Sequence, residues 1–288
     1  MRKFKINLDM RKNKLFVIIM SVVAVLGFSG CEGNEDGKKT ENHQEETSKP
    51  LNISVFLDLS DRLKNETSGM KQCEKDTAIV NNIVDLFKDQ VLENKIIGSK
   101  DCFKVFFYPQ PSDSKINALA TQMEYDFAKM EIKLKKHELE AMKRTINANL
   151  NEIYTFTIEK DKWPGCDIWG FFKDKVKPLC IKSDYRNVLI ILTDGYIYHE
   201  TSKIIEGNKT SYILPSVLTS TNPKLICKTN GLDDLEVLIL EIENDPKRND
   251  KMKELIGNWL KEMGIAKYEI YSAELPNNTK IMIENFLK

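Results

Sequence analysis

Two short acidic segments hold the residues best placed to do chemistry. Asp58-Leu59-Ser60-Asp61-Arg62 follows an apolar run from Ile53 to Leu57, and Thr193-Asp194-Gly195 follows a second run from Val188 to Leu192. Apolar runs of this length, rich in β-formers, read as strands buried on both faces. Asp58 and Asp194 therefore each fall at the carboxyl end of a central strand, where open α/β sheets hold their ligands. A third polar segment, Gly165-Cys166-Asp167-Ile168, lies between them in the chain and opens a helix through Phe172 and Val176. Other chemistries lack their residues. There is no Gly-x-Ser-x-Gly elbow and no phosphate-binding Gly-rich loop. No pair of cysteines has Cys-x-x-Cys spacing, and His199 has no identifiable triad. No basic stripe with interleaved aromatics points to nucleic acid.

Strands and helices alternate around these segments. Phe103 to Tyr108 reads as a strand stopped by Pro109 and Pro111. Leu235 to Ile242 and Tyr268 to Ala273 read as further strands. Ala78, Ile79, Ile83, Val84 and Phe87 recur at helical spacing, Lys251 to Met263 is amphipathic up to Gly264, and residues 277 to 287 close the chain as a helix. This alternation predicts an α/β fold, a doubly wound and mostly parallel sheet flanked by helices. One stretch departs from it. From Lys115 to Asn151 there is no Pro or Gly, and Ile116, Leu119, Met123, Phe127, Met130, Leu134 and His137 keep to one stripe. The spacing predicts a long helix over 115–151 of roughly 55 Å. It either bends back as two helices packed on the sheet or projects as a partner-binding arm.

The three segments resemble the metal-ion-dependent adhesion site of the von Willebrand factor A domain. In that family, loops reading Asp-x-Ser-x-Ser, a Thr, and Thr-Asp-Gly converge above a doubly wound sheet. The resemblance spans roughly residues 50 to 288, the long helix excepted, and implies Mg²⁺ held by Asp58, Ser60 and Asp194, with Arg62, Asp61, Cys166, Asp167 and Thr193 around it. Two positions depart from the pattern, because Arg62 replaces the second Ser and Cys166 replaces the Thr. Magnesium wants oxygen ligands, and a thiol suits it poorly. Two unit charges 4 Å apart interact by roughly 4 kcal/mol at an effective dielectric constant of about 20, and a dication beside a guanidinium suffers more. Two arrangements follow. Either Arg62 is a permanent internal cation that neutralises Asp58 and Asp194, or it points outward and the metal stays. The topology also places Cys73 near Cys166 and Cys180 near Cys227, so a disulfide, where one forms, joins one of these pairs.

The N-terminus makes a separate statement. Arg2, Lys3, Lys5, Arg11, Lys12 and Lys14 precede an apolar run from Leu15 to Phe28. A basic leader, a short apolar run and a small-residue site describe a secretory signal, here residues 1–30. Phe28-Ser29-Gly30-Cys31 resembles the lipobox of bacterial lipoproteins, which implies a lipidated Cys31. Glu32 after the cysteine implies the outer membrane, by resemblance to Gram-negative lipoproteins, and the acidic string Cys31 to Asp36 resembles the surface-export signals of Bacteroidota. Residues 31–50 read as a flexible tether and 51–288 as the folded domain. Removing the leader from a chain with 43 basic and 43 acidic residues leaves 37 and 42, a mature net charge of about −5.

Three functions compete at this stage. The leading one is a lipid-anchored, non-enzymatic binder of a partner protein, with either the partner's carboxylate meeting Arg62 or a different surface serving. Tyr196-Ile197-Tyr198-His199 beside the site would supply contact area. The second is an Mg²⁺-dependent phosphatase with Asp58 as nucleophile. Haloacid-dehalogenase-like enzymes want Asp-x-Asp, and position 60 here is Ser. The third is an envelope protein that assembles through its long helix.

Overall fold

Strand alternation is the organising fact of the fold. The computed structural model describes residues 49–67, 69–196, 204–206, 209–211, 231–243 and 248–288. In it, β1 (Leu51–Leu57) lies at the middle of a six-stranded sheet. It pairs in parallel with β4 (Cys102–Phe106) on one side and β6 (Arg186–Leu192) on the other. Beyond β6 come β9 (Leu235–Ile242) and then β10 (Lys267–Ser272), both parallel. β5 (Glu124–Asp126) closes the opposite edge, antiparallel to β4. Short antiparallel pairs, β2 (Glu66–Thr67) with β3 (Met70–Lys71) and β7 (Ile204–Glu206) with β8 (Lys209–Ser211), stand apart from the sheet.

Each central strand divides its side chains between two cores. Ile53, Val55 and Leu57 of β1, with Val188, Ile190 and Leu192 of β6, face one core. There they meet α1 (Gln72–Glu93), α3 (Ile132–Lys160) and α7 (Pro276–Leu287). Phe56, Leu189 and Ile191 face the other. On that side lie α4 (Ile168–Asp174), α5 (Val176–Cys180) and α6 (Asn249–Glu262). Phe171 stacks at tilted angles on Phe56 and Phe106, with ring centroids 4.8 and 5.5 Å apart. Both sheet faces are covered, as a parallel sheet requires.

The strand expectations hold to within two residues at each end. The long segment does not run as one helix. It divides into α2 (Ser114–Thr121), β5 and α3, which continues to Lys160. Met123, Tyr125 and Phe127 are buried at alternate positions, a strand period hidden inside a stripe that also fits helical spacing. The exposed backbone of β4 decides between them, since Phe103 pairs with Tyr125 across that edge. α3 is packed rather than projecting. Leu139, Met142, Ile146, Leu150 and Ile153 are buried in the core shared with α1.

Two further features bear on function. Among the described residues, no helix is long and apolar enough to cross a membrane. Cys31, the leader and most of the tether, like Cys227 and His199, lie outside the described residues. Near the end of β9, Glu241 adopts a left-handed conformation, with φ 74°. A residue inserted this way makes a bulge and shifts the strand's alternation by one place. Leu240 faces the α1 core as its position requires, and Ile242 faces the opposite one. The pairing with β10 slips at the same point, between Ile270 and Ser272.

Candidate functional site

At the carboxyl end of β1 the chain turns sharply, and Asp58 holds the turn. Its Oδ1 accepts the Ser60 N–H at 2.8 Å, and its Oδ2 accepts the Thr193 hydroxyl at 2.9 Å. A short 3₁₀ helix, Asp61–Lys64, follows and carries Arg62 back under the turn. The Arg62 side chain is 3 % exposed. Its guanidinium Nη2 donates to Asp76 Oδ2 at 2.5 Å and to the Leu192 carbonyl at 3.1 Å. Its Nε faces Asp58 Oδ2 at 3.3 Å, an ion pair whose N–H is not aligned for a hydrogen bond. One cation thus joins the β1 loop, the first turns of α1 and the end of β6.

A second ion pair extends the cluster. Gln72 Nε2 donates to Asp76 Oδ1 at 2.8 Å and to Glu241 Oε2 at 3.2 Å. Lys75 Nζ lies 2.7 Å from the same Glu241 oxygen, with both side chains buried. The bulge in β9 has a local consequence here, because it turns the Glu241 carboxylate onto α1. Glu241 Oε1 and the Tyr154 hydroxyl are buried without a hydrogen-bond partner among the described residues.

The three segments do converge. Leu59 and Gly165 form an isolated bridge, which seats the 165–167 loop against the β1 loop. Thr193 Oγ1 lies 3.8 Å from Cys166 Sγ while donating to Asp58. The other expected site residues lie around this contact. Asp167 is buried, and its Oδ1 accepts the Gly170 N–H at 2.8 Å, capping α4. Ser60 is buried and Asp61 is exposed at the rim. Asp194 is half-buried and accepts the Tyr196 N–H at 3.1 Å. The Tyr196 hydroxyl donates to Glu243. Cys73, Cys166 and Cys180 are free thiols, so of the two pairings open to a disulfide Cys73–Cys166 does not form, and Cys227 of the other lies outside the described residues.

One expectation about Arg62 needs correction and another needs extending. Its guanidinium points inward, so it is out of reach of a partner's carboxylate. It is an internal cation interacting with Asp58 and Asp194, and Asp76, which accepts its shortest contact, joins them. The sequence reading missed Asp76, Gln72, Lys75 and Glu241. A signal existed for two of them, since Gln72 and Asp76 continue the stripe of Ile79, Ile83 and Phe87 up the buried face of α1.

These residues do not fit a magnesium ion. Both Asp58 oxygens already accept from this chain's own donors, and the guanidinium stands against one of them. Burial pushes the Cys166 thiol well above its usual range, with Asp58 adding to the effect, so it stays protonated. A protonated thiol is a poor ligand for a hard cation. Among the described residues, no group of three His, Cys, Asp or Glu side chains is placed to hold a metal. Burial opposes the charge on Arg62, but Asp76, Asp58 and Asp194 together outweigh it and raise its affinity for the proton. Burial pushes Asp76 up to about 6, against the pull of Arg62 and Gln72. Burial and then Asp58 push Asp194 up to about 6. A phosphoryl-accepting role for Asp58 also meets an obstacle, because a nucleophile must reach its substrate and Asp58 is 0 % exposed.

Fold and site together define a doubly wound α/β domain with a buried, arginine-centred polar cluster at the carboxyl end of its sheet. No family model matches the chain, and no curated protein matches it. Two solved structures of the pilus adhesin SpaC from Lactobacillus rhamnosus GG are similar in shape. One matches at 11 % identity with a TM-score of 0.43, and the open conformation at 12 % and 0.46. Each match covers 83 % of this chain and 30 % of the adhesin, so the chain spans under a third of that protein's length.

The raised carboxyl of Asp194 makes a pH prediction. Unfolded, it releases its proton around 3.8; folded, it holds the proton to about 6. Between those values the unfolded chain binds fewer protons, so this group lowers stability as pH rises, and the loss is complete above about 6. Asp194→Asn cannot titrate and keeps an acceptor for Tyr196. Its stability relative to the native chain should climb between pH 4 and 7 by on the order of 2 kcal/mol. Urea unfolding of both proteins at several pH values measures this, and a difference independent of pH would contradict it.

Proposed function

We propose that this chain is a lipid-anchored cell-envelope protein with a von Willebrand factor A-like domain that binds a partner protein without catalysing a reaction. In this reading the adhesion site is closed, and the Arg62 guanidinium stands where the family places a divalent cation. The observation that carries it is the arrangement of Arg62, Asp58 and Thr193, with Cys166 beside them, at the carboxyl end of β1 and β6. A positive group already neutralises the carboxylate that a cation would need. Non-catalytic binding is supported by the same burial, which leaves Asp58 no access to a substrate. Anchoring rests on the leader and on Phe28-Ser29-Gly30-Cys31, and outer-membrane placement on Glu32. With α3 packed on α1, assembly through an arm is the weaker reading.

Isothermal titration with MgCl₂ and with MnCl₂ should give no saturable heat. Micromolar binding that Asp194→Ala abolishes would overturn the closed-site reading. The anchor is tested separately. Cells supplied with labelled palmitate should incorporate the label into the native chain and not into Cys31→Ala; label retained in that variant would contradict lipidation at Cys31.

A further inference from the structure

A closed centre moves the question of binding to the rim. The residues beside the 165–167 loop form an open groove of about 540 Å³ between the β4–α2 connection and the end of α3. Pro109, Pro111, Phe156, Trp163, Lys160 and Lys162 give it its character. It lies next in the chain to the loop that meets the β1 turn, because Pro164 lines it and the following residue, Gly165, bridges to Leu59.

The groove offers two kinds of chemistry. The first is apolar, from prolines and the half-buried Phe156 and Trp163, whose rings each also meet a lysine, Lys115 at 5.5 Å and Lys64 at 5.0 Å from the centroids. The second is positive charge. Lys160 Nζ sits 5.4 Å from the Phe156 ring centroid, and Lys162 is exposed beside it. Neither lysine has a carboxylate partner among the described residues, in contrast to Lys64, paired with Asp161, and Lys115, paired with Glu152. The acidic side chain in the lining, Asp113, accepts the backbone N–H groups of Lys115 and Ile116.

Polar side chains here are largely committed within the protein. Gln110 donates to Asn117, Thr157 donates to the Ile153 carbonyl, and the Trp163 indole donates to Asp161 at 3.0 Å. Proline at 109, 111 and 164 removes three backbone donors. A sugar chain would need a set of free hydrogen-bonding groups. What remains free suits carboxylates interleaved with apolar side chains.

We propose that this groove docks an acidic peptide segment of the partner protein, with apolar side chains on Phe156 and Trp163 and carboxylates on Lys160 and Lys162. The inference rests on the partner-binding reading above and names the partner's chemistry and the surface that meets it.

The test is fluorescence anisotropy with a labelled peptide, Glu-Asp-Phe-Glu-Asp-Leu-Glu-Phe, and a control with Lys at each acidic position. Sodium polygalacturonate serves as an anionic sugar competitor. Titrations are run in EDTA and again in Mg²⁺, with folding of each variant checked by thermal melting. The expected result is saturable binding of the acidic peptide in EDTA, weakened by added salt. It should be at least about tenfold weaker in Trp163→Ala and in the Lys160→Glu/Lys162→Glu pair, and unchanged in Lys261→Glu on the far face. The lysine pair is on the surface, so it keeps the test decisive if Trp163→Ala loosens its loop. Absence of peptide binding, equal binding to every variant, or capture of polygalacturonate but not the peptide would overturn the proposal. Groove-dependent binding that requires Mg²⁺ would support the location while overturning the closed arginine centre.

Discussion

A buried guanidinium cannot be left among apolar groups, and most of what is distinctive in this protein follows from that. Removing Arg62 from water costs several kcal/mol, and the cost is offset only where anions and carbonyls meet it with good geometry. Asp76 and the Leu192 carbonyl do so through hydrogen bonds, and Asp58 adds an ion pair at 3.3 Å. These three come from the β1 loop, α1 and the end of β6, so the cation fixes how a helix and two central strands meet at the top of the sheet. Removing one partner would leave charge buried and uncompensated, which is why such a cluster acts as a unit.

The rest of the cluster is the consequence of adding acids around that cation. Asp58, Asp76, Asp194 and Glu241 outnumber Arg62 and Lys75. The excess appears in the carboxyls of Asp76 and Asp194, both held well above the usual carboxylate range by burial. The left-handed Glu241 belongs to the same account, since a regular β9 would point that side chain at the opposite core instead of at Lys75 and Gln72. Conformational strain at one residue thus places the acid that the buried Lys75 needs. In the reading proposed above, with the centre sealed, recognition falls to side chains around it, and the proline- and aromatic-lined groove beside the 165–167 loop offers two exposed lysines without a carboxylate partner among the described residues.

Much of this was legible in the sequence because parallel strands buried on both faces leave a strong signal. Residues 53–57, 188–192 and 235–242 are apolar runs that could hardly be anything else, and their order defined the doubly wound sheet. Asp58, Thr193 and Cys166 were placed together because each follows a strand or opens a helix at the same end of it. Three features were hidden. β5 lies in a stretch where Met123 and Phe127 satisfy helix and strand periods alike, and only the open edge of β4 decides. The contact of Arg62 with Asp76 joins residues on separate elements with no shared motif. Glu241 sits inside an apolar strand, and nothing local announces that its backbone turns left-handed.

The most direct test of the central claim is a double-mutant cycle on the Arg62–Asp76 pair, using Arg62→Met, Asp76→Leu and the double variant, with stability read by urea unfolding. The account predicts that each single change destabilises by about 3–5 kcal/mol, and that the double variant loses about 2–3 kcal/mol less than the sum of the two single losses, which is the coupling energy of the pair. Losses that simply add, with coupling below about 0.5 kcal/mol, would show that Arg62 is not the cation holding the top of the sheet together.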